Sequence, residues 1–383
     1  MQRRVAFFIP SLERGGVERT LVNLLKTFTT HAYNVDLLLV HAREEFLKQV
    51  PKAVHLVRLS SAFRVPGLNG LIPPRVRTAF IALPRLADYL RRAKPDVLIS
   101  FQSSVVAVWA YRIVRSSTRL IVRESNTPSK AIAADRRVLA RLVPLLKRWT
   151  YPAAAAIVAN SQGAAEDLAR VINVPRQQIH VIYNPTYDDS LLEEAEEPVE
   201  HPWFQAGEPP VVLGVGRLTY QKDFETLLRA FARVRKERVC RLVILGEGEE
   251  RATLEALAEK LGVRRDVDLP GFVENPYKYM ARASVFVLSS RYEGLPNVLI
   301  EALACGVPVV ATDCPSGPTE ILLDGSVGAL VSVGDDKAMA SEILHLLQNC
   351  EGARGFVLEG RKHLARFQPE SCYHAYMNLI SDE

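Results

Sequence analysis

Several features that would place this chain in other protein classes are missing. No apolar run approaches the roughly 18–20 residues of a membrane span. The basic start of the chain is followed by an apolar stretch too short for a signal peptide, so we expect a first core strand there instead. The five cysteines are odd in number and form no Cys-x-x-Cys pair, which fits a reducing cytosol and neither a disulfide framework nor a zinc site.

Aromatic residues interleaved with Lys and Arg, which readers of nucleic acid need for stacking, are also scarce. The charge is nevertheless uneven. Residues 1–185 hold 28 Lys and Arg against 11 Asp and Glu, a net charge of +17, and residues 186–383 hold 20 against 32, a net charge of −12. In segments 63–85 and 136–149, the basic residues accompany apolar ones. This pattern predicts contact with an anionic membrane surface, and the alternative is a solvated helix with a core-facing stripe.

Neither glycine-rich loop carries the complete three-glycine dinucleotide fingerprint, which argues against a dehydrogenase. The first loop places Gly15 and Gly16 between the first strand and the first helix, where paired glycines allow backbone to approach a ligand closely. The second loop begins Gly214-Val215-Gly216 and has Thr219 at the third glycine position.

Short apolar segments alternate with helical ones along the chain. This alternation predicts an α/β protein with two Rossmann-like, doubly wound parallel sheets that face each other across a ligand-binding cleft. The predicted domains are residues 1–185 and 209–360, joined by an acidic linker at 186–208. The last segment, 361–383, is predicted as a helix that packs back on the first domain.

The individual elements are predicted from periodicity and from Gly and Pro breaks. The predicted strands are 4–9, 34–40, 96–100, 120–122, 156–159, 211–213, 242–245, 267–269, 285–287 and 309–311. The predicted helices include 17–29, 224–234, 250–261, 337–348 and 370–380. A Pro- and Gly-interrupted basic region lies at 59–77.

Two glutamates eight positions apart mark the most informative stretch. Glu293 follows the buried strand 285–287, and Glu301 lies about one turn inside the next helix. Ligands of open α/β sheets bind at this carboxyl end of the strands, and a helix N-terminus there suits a diphosphate. Carboxylates cannot bind phosphate, so we expect them to accept hydrogen bonds from hydroxyls of a ribose and a sugar.

Two cations in the second glycine loop complement these acids. Arg217 offers a forked donor and Lys222 a point charge, a usual pair for holding a diphosphate. The alternative is two ordinary surface cations. Asp266 and Asp268 resemble a metal-binding pair but lie away from this loop, and the eight histidines form no cluster with carboxylates, so we expect no metal.

Together these motifs resemble glycosyltransferase family 4, retaining enzymes of the GT-B fold, over nearly the whole chain. The motifs are Gly216-Arg217-Leu218 with Lys222, Gly246-Glu247-Gly248, Gly271-Phe272, Glu293-x7-Glu301 followed by Gly306-Val307-Pro308, Gly15-Gly16-Val17-Glu18 and Asn184-Pro185. The run 314–322 is similar to the branch that acts on polyprenyl-diphosphate-linked glycans or lipopolysaccharide core.

The resemblance implies a role for each matching residue. Arg217 and Lys222 would hold the donor diphosphate, Glu301 the ribose hydroxyls and Glu293 the transferred sugar. The sugar and phosphates would be met by the backbone of Gly294, Leu295, Pro296, Asn297 and Val298. The diphosphate would be approached by Gly15 and Gly16. The nucleotide base would lie near Val273. The family's first-domain histidine is missing, since no histidine lies between His55 and His180. Ser125 lies in the neighbourhood where relatives carry this histidine, and Glu124, Asn126 or backbone there is expected to orient the acceptor or sugar instead.

The predicted function is transfer of a hexose or N-acetylhexosamine from a nucleotide diphosphate sugar, first of all a UDP-sugar, to a lipid-linked or cell-surface glycan. No cofactor, metal or nucleic acid is expected. The expected location is cytoplasmic, at the cytoplasmic face of the inner membrane. A non-hydrolysing sugar-nucleotide epimerase and a non-catalytic sugar-nucleotide-binding protein are the alternatives.

Overall fold

The structure, a computed structural model, describes residues 3–12, 15–31, 33–41, 45–59, 74–134 and 142–381. The chain forms two compact units. The first unit is Met1–Pro185 with Pro369–Glu383, and the second is Thr186–Gln368.

The described residues of the first unit form a seven-stranded parallel sheet. Its strands are β1 (Arg4–Ile9), β2 (Asn34–Leu39), β3 (His55–Arg58), β4 (Val97–Phe101), β5 (Arg119–Glu124), β6 (Ala156–Ala159) and β7 (Ile179–Val181). Their order across the sheet is β3-β2-β1-β4-β5-β6-β7. The central strands are almost wholly apolar and buried because helices cover both faces of the sheet.

The second unit repeats this arrangement with six parallel strands among its residues. They are β8 (Val211–Val215), β9 (Arg241–Leu245), β10 (Val267–Gly271), β11 (Val285–Leu288), β12 (Val309–Thr312) and β13 (Ala329–Val331). Their order is β10-β9-β8-β11-β12-β13. In each unit the order reverses beside the first strand, which creates a topological switch point between β1 and β4 and between β8 and β11.

Helices alternate with these strands. The first unit contains α1 (Gly16–Thr30), α2 (Pro74–Ala93), α3 (Ser104–Val114), α4 (Pro128–Ala134), α5 (Val143–Thr150) and α6 (Gln162–Ile172). The second contains α7 (Asp189–Glu196), α8 (Phe224–Glu237), α9 (Arg251–Lys260), α10 (Tyr277–Met280), α11 (Asn297–Cys305), α12 (Pro318–Ile321), α13 (Asp336–Gln348) and α14 (Cys350–Lys362). The final helix, α15 (Pro369–Ser381), belongs to the first unit.

A buried arginine attaches α15 to the first sheet. The side chain of Arg123, at the end of β5, is almost fully buried. Its Nη1 donates to the Tyr376 hydroxyl of α15 at 2.6 Å, and its Nη2 donates to Oδ1 of Asn184 at 2.6 Å. On the neighbouring face, the ring of Tyr373 packs edge-on against Phe28 of α1, with ring centroids 5.1 Å apart. These contacts incorporate the end of the chain into the first core.

The alternation predicted from the sequence is confirmed. The short edge strands β3, β7 and β13 were not predicted because three or four residues carry too little periodicity to identify. Helix α2 was not predicted either. It falls partly in the basic region predicted as Pro- and Gly-interrupted, and it accommodates Pro84 within the helix. Residues 60–73 of this basic region lie outside the described residues. Residues 135–141, which include part of the predicted membrane-contact segment 136–149, also lie outside them.

Residues 186–208, interpreted as a linker from their acidic composition, are part of the second unit. They include α7, which begins where the Asp188 carboxylate accepts a hydrogen bond from the backbone N–H of Leu191 at 3.2 Å. Leu191 and Ala195 are buried, and α7 packs against α10 and α11. Among the described residues, no helix is both long and apolar enough to cross a bilayer.

Candidate active site

The candidate site lies at the switch point of the second unit. Strands β8 and β11 pair there in parallel, so the loops that leave their carboxyl ends begin side by side. The β8 loop carries the sequence-predicted residues Arg217 and Lys222, and the β11 loop carries Glu293. The expectation that Glu293 lies in a loop and Glu301 one turn inside the next helix is confirmed.

The two loops meet in a shielded ion pair. Lys222 Nζ lies 2.6 Å from Glu293 Oε1, and the two side chains are only 15% and 8% exposed. A charge-assisted hydrogen bond of this length is stronger than one between neutral groups. The sequence predicted both residues but assigned them to different parts of a ligand. The structure brings them into direct contact.

Two consecutive serines hold this pair in place. Ser290 Oγ donates to Glu293 Oε1 at 2.7 Å, and Ser289 Oγ donates to the backbone carbonyl of Lys222 at 2.8 Å. Both serines are buried. Thr312, at the end of β12, donates to the carbonyl of Ser290 at 2.6 Å. Sequence reasoning missed the serines, although polar residues directly after a buried strand are a recognisable signal.

Further hydrogen bonds tie the β8 loop to the β11 loop. Gln221 Nε2 donates to the Tyr292 carbonyl at 3.0 Å and to Glu293 Oε2 at 3.4 Å. Arg291 pairs with the buried carboxylate of Asp223 at 2.7 Å, and its backbone N–H donates to the Gln221 carbonyl at 2.8 Å. The resulting network fixes the positions from which Lys222 and Glu293 project.

Arg217 differs from Lys222 in its surroundings. Its side chain is exposed, and it forms no ion pair with any residue the structure describes. Burial, and then the charge of Glu293, raise the pKa of the Tyr292 hydroxyl. The positive charge of Arg217 acts in the opposite direction and lowers this pKa. Arg217 therefore adds positive potential beside the pair while its guanidinium points to solvent.

Glycines 246 and 248 let a third loop pack against the β8 loop. Gly246 has φ of +146°, and a Cβ there would lie 1.9 Å from the carbonyl oxygen of Gly216. A Cβ on Gly248 would lie 2.2 Å from the Leu218 carbonyl oxygen. Backbone hydrogen bonds from Leu218 to the carbonyl of Glu247, and from Glu250 to that of Leu218, join the loops. These glycines therefore shape the site.

The segment from Gly294 to Val298 leads into α11. Gly294, Leu295 and Pro296 are buried, and Asn297 and Val298 are half-buried in the first turn of the helix. The loop is close-packed, since a Cβ on Gly317 would lie 2.5 Å from Pro296 Cδ and 3.0 Å from the Gly294 carbonyl oxygen. Pro296 at the N-cap offers no side-chain acceptor to the first amides of the helix.

Glu301 is buried on α11, with 3% of its surface exposed. One turn later on the same helix, the pKa of Cys305 is raised to about 12 by burial and then by the charge of Glu301. Val273 follows β10 and is half-buried beside the exposed Phe272. The roles of Glu301 toward a ribose and of Val273 toward a base stay predictions.

In the first unit, Gly15 and Gly16 lead into α1 beside a buried carboxylate. A Cβ on Gly15 would lie 2.3 Å from Glu18 Oε2, so the glycine leaves room for this side chain. Glu18 Oε1 accepts a hydrogen bond from Gln102 Nε2 at 3.2 Å, which joins the loop after β4 to α1. The sequence indicated Glu18 only as part of a motif, and it gave no signal for Gln102. The predicted approach of the two glycines to a diphosphate stays a prediction.

Glu124 and Asn126 lie at the carboxyl end of β5. Glu124 forms a close ion pair with Lys147 of α5 and accepts a hydrogen bond from the Tyr151 hydroxyl at 3.2 Å. Burial alone would lower the pKa of Lys147, but the charges of Glu124 and then Tyr151 raise it above its ordinary range. Asn126 is half-buried in the following loop. Glu124 therefore has a structural partner already.

Two other predictions concerned metals. Asp266 forms ion pairs with Arg235 and Arg241, and Asp268 lies 2.8 Å from His201 Nε2. Both aspartates therefore bind side chains of their own unit. Among the described residues, no group of three or more His, Cys, Asp or Glu is placed to hold a metal ion.

A buried carboxylate paired with a lysine at the switch point of a doubly wound unit fits a glycosyltransferase, and comparison with known proteins identifies the family. Residues 14–189 match the family described as Glycosyltransferase Family 4, and residues 198–363 match Glycosyl transferases group 1. The chain belongs to this glycosyltransferase family, and the predicted enzyme class is confirmed.

Named relatives agree with this assignment. The chain is 32% identical over 353 residues to an N-acetylgalactosamine-N,N'-diacetylbacillosaminyl-diphospho-undecaprenol 4-alpha-N-acetylgalactosaminyltransferase of Campylobacter jejuni, with 91% of each chain covered. It is 26% identical to the amylovoran biosynthesis glycosyltransferase AmsD of Erwinia amylovora, with 96% of each covered. The solved structure of HepE from Anabaena in complex with UDP and glucose has a TM-score of 0.79 at 19% identity, with 100% of each chain covered. The predicted GT-B fold is confirmed.

Proposed function

We propose that this protein transfers a hexose or N-acetylhexosamine from a nucleotide diphosphate sugar to a hydroxyl of a lipid-linked or cell-surface glycan. The observation that carries the proposal is the shielded Lys222–Glu293 pair at the switch point of the second unit. In a member of a glycosyltransferase family, a cation and a carboxylate at this edge suit a diphosphate and a sugar hydroxyl respectively.

The names of the relatives support the choice of substrates. The Campylobacter relative is named for a glycan on diphospho-undecaprenol, and the Erwinia relative for the biosynthesis of a polysaccharide. The structure of HepE holds UDP and glucose. We therefore propose a UDP-sugar as donor and a polyprenyl-diphosphate-linked glycan as the first acceptor to test. A cytoplasmic location at the inner membrane belongs to the same proposal.

Electrostatic stabilisation of the leaving diphosphate would supply most of the rate. Lys222 and Arg217 provide positive charge, and the first amides of α11 add donors and a helix dipole. Glu293 would accept from the sugar hydroxyls and Glu301 from the ribose. Preorganised charges of this kind are usually the largest catalytic contribution.

The stereochemistry and the acceptor side complete the proposal. Retention would follow if the acceptor attacks from the face that the diphosphate leaves, with the leaving phosphate assisting removal of the acceptor proton. No metal is required in this scheme, because Arg217 and Lys222 neutralise the diphosphate. Since Glu124 is bound by Lys147 and Tyr151, Asn126 is the better candidate to orient the acceptor or sugar.

A donor screen followed by a transfer assay tests the proposal. A panel of nucleotide sugars should include one that raises the melting temperature, because a ligand at 100 times its Kd stabilises the folded state by about 2.7 kcal/mol. The stabilising donor is then incubated with polyprenyl-diphosphate-linked glycans, with and without EDTA. We expect EDTA-resistant transfer with the anomeric configuration retained.

The same assay separates the alternatives. Conversion of the nucleotide sugar without any acceptor would indicate an epimerase. Tight donor binding with no transfer and no hydrolysis across the acceptor panel would indicate a non-catalytic binding protein. Either result contradicts the proposal.

A further inference from the structure

One surface of the first unit concentrates exposed apolar side chains. Among the described residues, eleven large apolar side chains are exposed, and six of them lie on α3, on α5 or directly before α5. The six are Trp109, Ile113, Leu142, Leu145, Leu146 and Trp149. Trp149 is 75% exposed, the largest value of the eleven. Isolated exposed apolar residues are normal, but a cluster marks an interaction site.

The two helices are neighbours, so their exposed residues form one surface, here called the α3/α5 surface. Helix α3 packs against α5, and Arg112 Nη2 donates to the Trp149 carbonyl at 3.2 Å. Residues Trp109 and Ile113 are one turn apart on α3, and Leu145 and Trp149 are one turn apart on α5. Residues one turn apart share a helix face.

The two helices that form the α3/α5 surface carry charge of one sign. Helices α3 and α5 contain no Asp or Glu. Residues 97–123 likewise contain no acid but four arginines. Arg112, Arg115 and Arg148 are exposed at this surface. A partner protein whose surface carries charges of both signs would not be matched by basic residues alone. An anionic lipid surface attracts arginine and lysine and repels acids, so it matches this pattern.

We propose that the α3/α5 surface docks on an anionic lipid bilayer. Tryptophan and leucine side chains would enter the interface between headgroups and acyl chains, and the arginines would bind lipid phosphates. Apolar insertion and basic charge are the two contributions that together give stable binding of a peripheral protein.

The opposite face of α5 connects this surface to the candidate acceptor residues. Lys147 projects from α5 to the ion pair with Glu124 at the carboxyl end of β5. The helix that carries Leu145 and Trp149 therefore also buttresses the end of the sheet where Asn126 lies. Resting on the proposed function, this arrangement would hold the acceptor-orienting loop at the membrane, where the glycan of a lipid-linked acceptor emerges.

Binding to vesicles tests the docking surface independently of any reaction. The full-length protein is sedimented with phosphatidylcholine vesicles, with or without phosphatidylglycerol, and without acceptor lipid. We expect salt-sensitive binding to the anionic vesicles. Leu145→Glu with Trp149→Glu should lower the partition coefficient by about tenfold or more, since burying one large apolar side chain is worth a factor of that order. Arg115→Ala and Arg148→Ala should each lower it about fivefold.

Matched controls carry the same change elsewhere. Val239→Glu and Val333→Glu replace exposed apolar residues that are not part of the α3/α5 surface and should leave vesicle binding within about twofold of the wild type. Thermal unfolding of every variant checks that it is folded. Turnover of a water-soluble acceptor should be unchanged in the Leu145→Glu, Trp149→Glu variant, while turnover of an acceptor embedded in anionic vesicles should fall.

Three outcomes would overturn the docking proposal. The wild type could fail to bind anionic vesicles at low salt. The doubly substituted variant could bind as well as the wild type. The protein could form a dimer that the double substitution dissociates while vesicle binding is unchanged, which would make a second copy the occupant. A wild type that binds vesicles but transfers no sugar would instead refute the proposed function and leave the docking surface standing.

Discussion

Lys222 and Glu293 are 71 residues apart in the chain, and Lys222 Nζ lies 2.6 Å from Glu293 Oε1. Their contact depends on the pairing of β8 with β11. In the proposed enzyme the lysine sits between two negative groups, the glutamate and the donor diphosphate. Removing the lysine deletes a hydrogen-bond donor to the phosphates. It also leaves the negative charge of Glu293 facing the phosphates without a neutralising cation.

Lys222→Met should therefore reduce transfer by about 10²–10³, the cost of losing one strong donor to developing charge. The double variant Lys222→Met, Glu293→Gln should bind donor better than Lys222→Met, because the repelling carboxylate is gone, while turnover stays low. Donor affinity by calorimetry and steady-state kinetics measure the two effects. Residues in direct contact show such non-additive behaviour.

A surface ion pair provides the control for the lysine. Lys362 Nζ lies 2.7 Å from Glu359 Oε2, but both side chains are about half exposed or more. Lys362→Met should leave turnover unchanged and stability within about 0.5 kcal/mol. Near-normal turnover of Lys222→Met would remove the lysine from the site.

Glu301→Gln tests the predicted contact with the ribose. The amide keeps the size of the side chain but replaces a charged acceptor, so the predicted hydrogen bond from the ribose hydroxyls should weaken. The ribose does not react, so this hydrogen bond should be equally strong in the ground and transition states. We expect KM for the donor to rise about tenfold with kcat little changed. Glu259→Gln, an exposed position on α9, is the control. A fall in kcat with KM unchanged would instead place Glu301 in the chemical step.

Ser290→Ala tests whether the serine after β11 positions Glu293. The substitution removes the 2.7 Å hydrogen bond to Oε1 and leaves Lys222 as the stronger partner of that oxygen. We expect kcat to fall about tenfold, the cost of one hydrogen bond to a charged group. Ser290→Thr keeps a hydroxyl and should recover part of the loss.

Ser284→Ala is the matched control for this serine, because Ser284 lies directly before β11 at the other end of the strand. It should behave like the wild type. An unchanged kcat in Ser290→Ala, with an unchanged melting temperature, would show that Glu293 needs no help from the serine.

The sequence predicted the fold well because apolar runs and Gly or Pro breaks are local signals. It also predicted Glu293, Lys222 and Glu301 as neighbours of one site, since each follows or lies near a strand end. It could not predict the Lys222–Glu293 contact, which requires that β11 pair with β8 rather than with an outer strand. For the same reason the sequence could not predict the close packing at Gly246, because it depends on a carbonyl 30 residues earlier, in Gly216.

The buried thiols lead to a prediction about pH. Burial raises the pKa of Cys314 and of Cys372 to about 12, with the charge of Glu293 adding to the effect at Cys314. Only about one thiol in 10⁴ is then ionised at pH 8, and the thiolate is the reactive form. In the unfolded chain the pKa is near 8.5, so folding suppresses ionisation between about pH 8 and 12, and the stabilisation is lost as the pH rises through that window.

Titration with a thiol reagent at pH 8 checks this. The buried Cys240, Cys305, Cys314 and Cys372 should react slowly in the native protein and fully in denaturant. Mass spectrometry assigns each modified residue. Fast native labelling of Cys314 would mean that the loop beside Glu293 opens readily.

Gly246→Ala tests the packing of the three loops around the site. The new Cβ would meet the Gly216 carbonyl oxygen at 1.9 Å, and φ of +146° disfavours alanine, so the loops must separate. We expect a loss of about 2–4 kcal/mol and a fall in melting temperature of several degrees, since strain and a lost close contact add. Gly355→Ala, which has nothing within 4 Å of the added Cβ, lies in helix α14 and should be neutral or stabilising. If Gly246→Ala melts with the wild type and transfers sugar normally, the β8 loop tolerates displacement and the site does not depend on that close approach.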